Sequence, residues 1–98
     1  MPRLFAVELR RGGGWNFTRP MEEQADWPEH AAFMDVLVTD GFIVLGGPLG
    51  GDTDVLLVVR ADDEAQIEAR LADDVWTRSG LLRTTSVRPW TIRLGSLP

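Results

Sequence analysis

The stretch FIVLGGPLGGDTDVLLVV, residues 42–59, constrains the fold most, because two almost purely aliphatic runs flank a glycine-rich connection. Aliphatic runs this short are typical of strands, and strands that are apolar on both sides need cover on both faces of their sheet. We therefore predict two neighbouring strands, residues 42–47 and 54–60, with GGPLGGDT joining them as a hairpin.

The GGPLGG connection has three interpretations: a phosphate-binding loop, a hairpin turn or the border of a ligand site. A phosphate-binding loop of the Walker type needs Gly-Lys-Ser or Gly-Lys-Thr leading into a helix. Here Gly51 is followed by Asp52 and a strand, which favours the hairpin, where glycines supply positive φ. Gly46, Gly47 and Pro48 also leave a strand end without bulky side chains, which gives a ligand access to the backbone.

The first strand and the first helix are indicated by their residue spacing. LFAVELR, residues 4–10, alternates with a period of two, as a strand does, and a glycine-rich loop follows it. A helix then begins with Asp26 as the predicted N-cap and Glu29 completing a capping box. It runs to about Asp40, and Gly41 ends it.

The remaining pattern adds a second helix over residues 62–74 and a last strand over residues 82–94. Pro89 lies within that strand and indicates an edge or a bulge, because proline cannot donate inside a sheet. The order β-α-β-β-α-β predicts an α+β, ferredoxin-like domain over residues 1–98, with helices on one face of the sheet. A second copy of the chain is the simplest cover for the other face, so we expect a homodimer or a higher oligomer.

Composition narrows the classes of partner. Fifteen acidic against ten basic residues give a net charge of −5, which disfavours nucleic acid and anionic lipid. No run approaches the roughly 18 apolar residues of a membrane span, and the N-terminal MPRLFAVELRR turns charged too early for a signal peptide. With no cysteine, no metal-binding motif and no cofactor motif, we expect a soluble cytoplasmic protein that uses neither a metal nor a cofactor.

His30 is the only histidine and lies at the centre of an apolar stripe that Phe33, Met34 and Leu37 form on the first helix. Histidine is the side chain whose unperturbed pKa lies nearest neutral pH, so it is a candidate for proton transfer. Periodicity alone favours a hydrogen-bonded core histidine. A metal site would need carboxylates whose placement the sequence does not show.

Asp73 and Asp74 follow the predicted second helix, and a solvated helix end is the simpler interpretation of both. Most of the four tryptophans are expected in the core or at a dimer contact, although Trp76 comes soon enough after the aspartates to form the wall of a pocket. The residues alone do not decide whether these side chains form a pocket or have only structural roles.

Four segments together resemble the YCII-related proteins, small members of the dimeric α/β-barrel superfamily. They are PEHAAFMDVLVTDG, FIVLGGP, DDVWTRSG and SVRPW, in the order and spacing of that family, and they cover most of residues 22–92. The resemblance implies two ferredoxin-like protomers packed sheet to sheet. It also implies that GGPLGG is a hairpin whose first half borders a pocket.

The same resemblance implies a catalytic pair, because the family's proposed histidine and aspartate fall on His30 and Asp74. The family usually has proline directly after that aspartate, and Val75 stands there instead. The implied function is a cofactor-independent proton transfer, elimination or isomerisation on a small organic molecule, and one relative resembles a dehydrochlorinase of chlorinated hydroxylated aromatics.

Two other functions remain open: a non-catalytic dimeric module that binds a small ligand or serves a larger enzyme, and a purely structural dimer. A distance within about 3.2 Å between His30 and Asp74 would favour the catalytic pair.

Overall fold

The computed structural model describes residues 1–97, which form one antiparallel sheet with helices against one face. The strands are β1 (Arg3–Arg11), β2 (Ile43–Leu49), β3 (Asp54–Ala61) and β4 (Leu82–Pro89). The helices are α1 (Trp27–Thr39), α2 (Glu64–Leu71) and α3 (Val75–Ser79), with a 3-10 helix at Met21–Glu23. The sheet order is β2-β3-β1-β4, with all neighbours antiparallel. This confirms the α+β, ferredoxin-like arrangement, and the sheet of this chain is open and not a closed barrel.

The core lies between the sheet and the helices. Alternate residues of β1, namely Phe5, Val7 and Leu9, are buried on the helix side, as the period of two predicts. Leu37 of α1 and Ile67 of α2 belong to the same apolar cluster. Burial of these side chains away from water is the main force that holds both helices on the sheet.

The turn between β2 and β3 is shorter than predicted. β2 continues through Gly46, Gly47 and Pro48 to its last residue, with Gly46 opposite Leu57 of β3, so GGP belongs to a strand and not to the turn. The chain reverses after it, where Gly50 has a φ of +79°. Proline is tolerated in β2 because this is an edge strand, where not every N–H needs a partner.

The start of α1 also differs from the prediction. Asp26 lies in the left-handed region with φ 60° and its side chain makes no capping hydrogen bond, so the predicted capping box with Glu29 is wrong. A side-chain cap requires an extended backbone at the N-cap, which Asp26 does not have. Its carbonyl instead accepts from the backbone N–H of His30 at 3.0 Å. The helix ends as predicted, just before Gly41, whose φ is +80°.

The predicted second helix is two helices. α2 is capped by the side chain of Asp63, and α3 is a separate short helix with Asp74 at its N-cap. The extended backbone of Asp74, φ −70° and ψ 132°, interrupts the helical course. Asp74 therefore begins α3, which turns its carboxylate inward, and does not end the preceding helix at the surface.

The last strand ends at Pro89 and not at Leu94. Pro89 pairs with Phe5, and β1 begins only two residues before Phe5, at Arg3. Beyond Pro89, β4 therefore has almost no strand left to pair with. The backbone N–H of Trp90 still donates to the carbonyl of Leu4 at 2.9 Å, and the chain then leaves the sheet. β4 is an edge strand, as the proline indicated.

The second face of the sheet carries no helix and is partly apolar. Leu45, Leu49 and Trp90 remain between 44% and 46% exposed, although all are large hydrophobic residues. Glu8 and Arg88 form an ion pair at 2.8 Å on the same face. We call this surface the open sheet face. Within residues 1–97, none of the helices has the length and apolar character needed to cross a membrane.

Candidate functional site

A buried histidine and a buried aspartate meet between α1 and α3. Nδ1 of His30 lies 2.8 Å from Oδ2 and 3.0 Å from Oδ1 of Asp74, across 44 residues of sequence. His30 is 6% exposed and Asp74 is 2% exposed. The apolar stripe of α1 directs the imidazole inward, and the N-cap position of α3 directs the carboxylate to it.

The geometry selects one tautomer of neutral His30. An ionised carboxylate can only accept hydrogen bonds, so Nδ1 carries the hydrogen that it donates to Asp74. Nε2 then carries the lone pair, and it makes no hydrogen bond to any of the described residues. The carboxylate also accepts from the backbone N–H of Trp76, 3.3 Å from Oδ1. The arrangement therefore leaves one nitrogen of a fixed imidazole available to a bound molecule.

Trp76 fixes the plane of the imidazole. The two rings are stacked, with centroids 3.7 Å apart and planes 10° apart. The indole is itself held, because its Nε1–H donates to the carbonyl of Ala25 at 2.7 Å and the side chain is only 1% exposed. His30 is thus bonded at one edge by Asp74 and supported on one face by Trp76.

A cavity of about 450 Å³ opens beside this pair. His30 and Trp76 line it, and so do Gly46, Gly47 and Pro48 of the edge strand β2. Asp74 lies behind His30 and does not line the cavity. The remaining lining is mostly apolar and includes Trp27 and Met34 of α1 and Ile43, Val55 and Leu57 of the sheet. All six site residues that the sequence predicted thus lie at or directly behind one cavity, and their roles stay predictions.

The glycine at position 46 keeps the cavity open on the sheet side. A Cβ built there would lie 2.6 Å from Cδ2 of Leu57, whereas a Cβ at Gly47 would meet nothing within 4 Å. A side chain at position 46 would therefore have to displace Leu57, another residue of the cavity wall, whereas position 47 has room for one.

The loop after β1 closes one side of the cavity through Trp15, a residue that the sequence analysis did not include in the candidate site. Trp15 is buried and packs edge-on against Trp76, with ring centroids 5.1 Å apart. Buried Gln24 holds the loop by accepting from the backbone N–H of Asn16 at 2.9 Å and donating to its carbonyl at 2.8 Å. The loop is rich in glycine and polar residues and has no regular apolar spacing, so its pattern does not indicate that Trp15 packs beside the cavity.

Arg11 was missed as well, although it continues the alternation of β1 on the helix side. It lines the cavity, and its guanidinium lies over the ring of Trp15, 4.3 Å from the centroid. The signal was present in the period of two, but the strand was predicted to end one residue earlier. Among residues 1–97, no three His, Cys, Asp or Glu side chains come together as a set of metal ligands.

The fold and the site together define a small ferredoxin-like domain with a buried His–Asp pair beside an apolar cavity. The YCII-related domain matches residues 9–91, and the chain belongs to this family. The resemblance noted in the sequence is thereby confirmed. No curated protein and no solved structure matches the sequence significantly.

The one departure from the family pattern leaves the pair in contact. Val75 is the first residue of α3, directly after the N-cap Asp74. Proline is favoured at this first helical position because its missing N–H would have no partner in the helix. Valine has an N–H there that the helix does not need, so it also permits the cap.

Proposed function

We propose that this protein is a cofactor-independent acid/base enzyme whose His30 transfers a proton on a small organic molecule held in the cavity. The observation that supports this most directly is the 2.8 Å contact between Nδ1 of His30 and Asp74 at the wall of that cavity. In this proposal His30 is the base, and Asp74 is the residue that orients it.

The proposed mechanism needs only groups of this chain. Nε2 accepts a proton from the bound molecule, while Asp74 keeps Nδ1 protonated and compensates the positive charge that forms on the ring. The stacked indole of Trp76 also favours a cation at its face. In an isomerisation the imidazolium returns the proton to another atom of the molecule. In an elimination the leaving group departs with the electron pair of its bond, and the imidazolium releases the proton to that group or to water. General base catalysis of this kind contributes typically about 10² to 10⁴ in rate.

We further propose that two copies of the chain associate through the open sheet face, as the family resemblance implies. Leu45, Leu49 and Trp90 supply apolar contacts, and the face also carries both signs of charge at Glu8 and Arg88. A two-fold axis places the same patch of each copy against the other, so a mixed apolar and charged surface can complement itself. The cavity lies on the opposite, helix-covered side of the sheet.

The alternative is a non-catalytic dimeric module that binds a small ligand or serves a larger enzyme. One observation favours it: Asp74 accepts from the backbone of Trp76 and so caps α3, which gives the carboxylate a structural task independent of chemistry. The mostly apolar cavity suits binding as well as catalysis.

The test is proton exchange in D₂O. A panel of small carbonyl compounds and chlorinated hydroxylated aromatics is incubated with the protein, and NMR follows deuterium incorporation and product formation. We expect His30→Gln to lower the exchange rate by about 10² to 10⁴, the usual contribution of a general base. Asp74→Asn should also slow exchange, because one amide oxygen orients the ring less well than a carboxylate.

Asp73→Asn is the matched control, since Asp73 is the adjacent aspartate and is exposed at the surface. Its exchange rate should equal that of the unmodified protein. An exchange rate that survives His30→Gln would refute the proposed base. Saturable binding across the panel with no exchange would favour the ligand-binding module instead.

A further inference from the structure

Arg11 places a positive charge in the cavity that the proposed proton transfer does not use. It is the last residue of β1, half-buried, and it lines the same cavity as His30. Its Nη1 donates to the backbone carbonyl of Asp52 at 2.5 Å, and its guanidinium carbon lies over the ring of Trp15. One end and one face of the planar group are therefore fixed.

The other nitrogens of the guanidinium have no partner among residues 1–97. Nε is buried and makes no hydrogen bond, and no described carboxylate forms an ion pair with Arg11. The neighbouring Arg10, by contrast, is bonded to Asp54 at 3.2 Å. Nη2 also makes no hydrogen bond to the described residues and, unlike Nε, is accessible, so its N–H groups and the positive charge are available to a carboxylate in the cavity. A buried donor without a partner is unusual enough in proteins to require an explanation.

The surroundings of Arg11 suit an anion with an apolar body. Within residues 1–97, the other titratable side chains that line the cavity are His30 and Asp35, and Asp35 is exposed on α1. The indole rings of Trp15 and Trp76 connect the guanidinium to the imidazole in one continuous row of contacts. The volume of about 450 Å³ falls in the lower part of the range of small-ligand sites, which is roughly 300 to 1,000 Å³.

We infer that Arg11 binds the carboxylate of a small apolar or aromatic acid whose body extends along the indole rings toward His30. The inference rests on the proposed function, because it names the class of molecule on which His30 acts. Arg11 is a residue that selects and positions this molecule and takes no part in the proton transfer.

Binding of benzoate and benzamide tests the inference, because the two probes have nearly the same shape and differ in charge. NMR titration follows the ring resonances of the single histidine and the indole N–H of Trp76, which report on the cavity alone. We expect benzoate to bind at least about tenfold more tightly than benzamide, as hydrogen bonds to a charged group allow. Equal affinities, no saturable benzoate binding, or binding that leaves these resonances unmoved would each overturn the inference.

Variants then assign the preference to one residue. Arg11→Gln should abolish the preference for benzoate, and Arg11→Lys should keep only part of it, since lysine keeps the charge but lacks the planar group that lies over Trp15. Arg83→Gln removes an exposed arginine outside the cavity and should leave the preference unchanged. Circular dichroism checks that each variant folds, and the comparison of the two probes on the unmodified protein needs no variant. A folded Arg11→Gln that still prefers benzoate would refute the role of Arg11.

The two proposals fail separately. His30→Gln should keep the preference for benzoate while proton exchange is lost. If His30→Gln keeps both the benzoate preference and the proton exchange, His30 is not the base, but the proposed anion site at Arg11 is still supported. If the unmodified protein shows proton exchange but no preference for benzoate, the anion site is wrong, but His30 is still supported as the base.

Discussion

Replacement of Asp74 by alanine should destabilise the protein far more than the same change at its neighbour Asp73. Asp74 is fully buried and accepts from Nδ1 of His30 and from the backbone N–H of Trp76. Alanine leaves the imidazole donor unpaired, which costs about 1 to 3 kcal/mol, and removes an N-cap, which costs typically about 1 kcal/mol. The expected loss in free energy of unfolding is therefore about 2 to 4 kcal/mol.

That loss is a large part of the roughly 5 to 15 kcal/mol by which a domain is stable. Urea denaturation at neutral pH and equal protein concentration measures it, because association also contributes to apparent stability. Asp73→Ala, at an exposed position, should change stability by less than about 0.5 kcal/mol. The free energy of unfolding of Asp74→Asn should lie between those of the two alanine variants. Asparagine has one amide oxygen, which can accept only some of the hydrogen bonds that the two carboxylate oxygens accept. Surface substitutions usually change the free energy of unfolding by no more than about 0.5 kcal/mol. If the free energies of unfolding of Asp74→Ala and Asp73→Ala differ by less than that, the reasoning is refuted.

Three further predictions concern other parts of the molecule. The ¹⁵N spectrum of neutral His30 should show hydrogen on Nδ1, and Asp74→Leu should remove this preference; a hydrogen on Nε2 in the unmodified protein would contradict the pairing. Light scattering should give a mass twice that of one protomer. Leu45→Glu on the open sheet face should reduce the mass to that of one protomer, whereas the control Val36→Glu, on an exposed part of α1, should leave it unchanged. Gly12→Ala should lose at least about 2 kcal/mol of stability in thermal or urea unfolding, because its Cβ would meet the carbonyl oxygen of Gly80, whereas Gly13→Ala has open space.

The sequence was sufficient for the parts of the fold that depend on periodicity. The alternation of β1 and the stripe of α1 each identify a buried face, and the second of these places His30 inside. The end of the last strand was not predictable in this way, because the alternation of Trp90 and Leu94 continues past the point where β1, the partner strand, begins at Arg3. Pairing depends on the register between distant strands, which local patterns do not encode.

The aspartate of the candidate pair shows the same limit. Local pattern places Asp74 at a solvated helix end, and only the family resemblance selected it. In the structure three residues, 72–74, separate α2 from α3, and the extended backbone of the last of them, Asp74, turns its carboxylate inward. Such an interruption depends on what the following tryptophan packs against, namely Trp15 and His30 from distant segments.

The grouping of three of the four tryptophans also has an optical consequence. Trp76 lies 5.1 Å from Trp15 and 5.9 Å from Trp27, measured between ring centroids, and it is stacked on the imidazole of His30. Rings this close exchange excitation energy readily, and an imidazole stacked on the indole quenches its emission, so we expect this cluster to be dim. Trp90, 45% exposed on the open sheet face, should therefore dominate the intrinsic fluorescence. The emission spectrum of this protein then reports chiefly on whether that face is covered, and a red shift on dilution would register the separation of two copies.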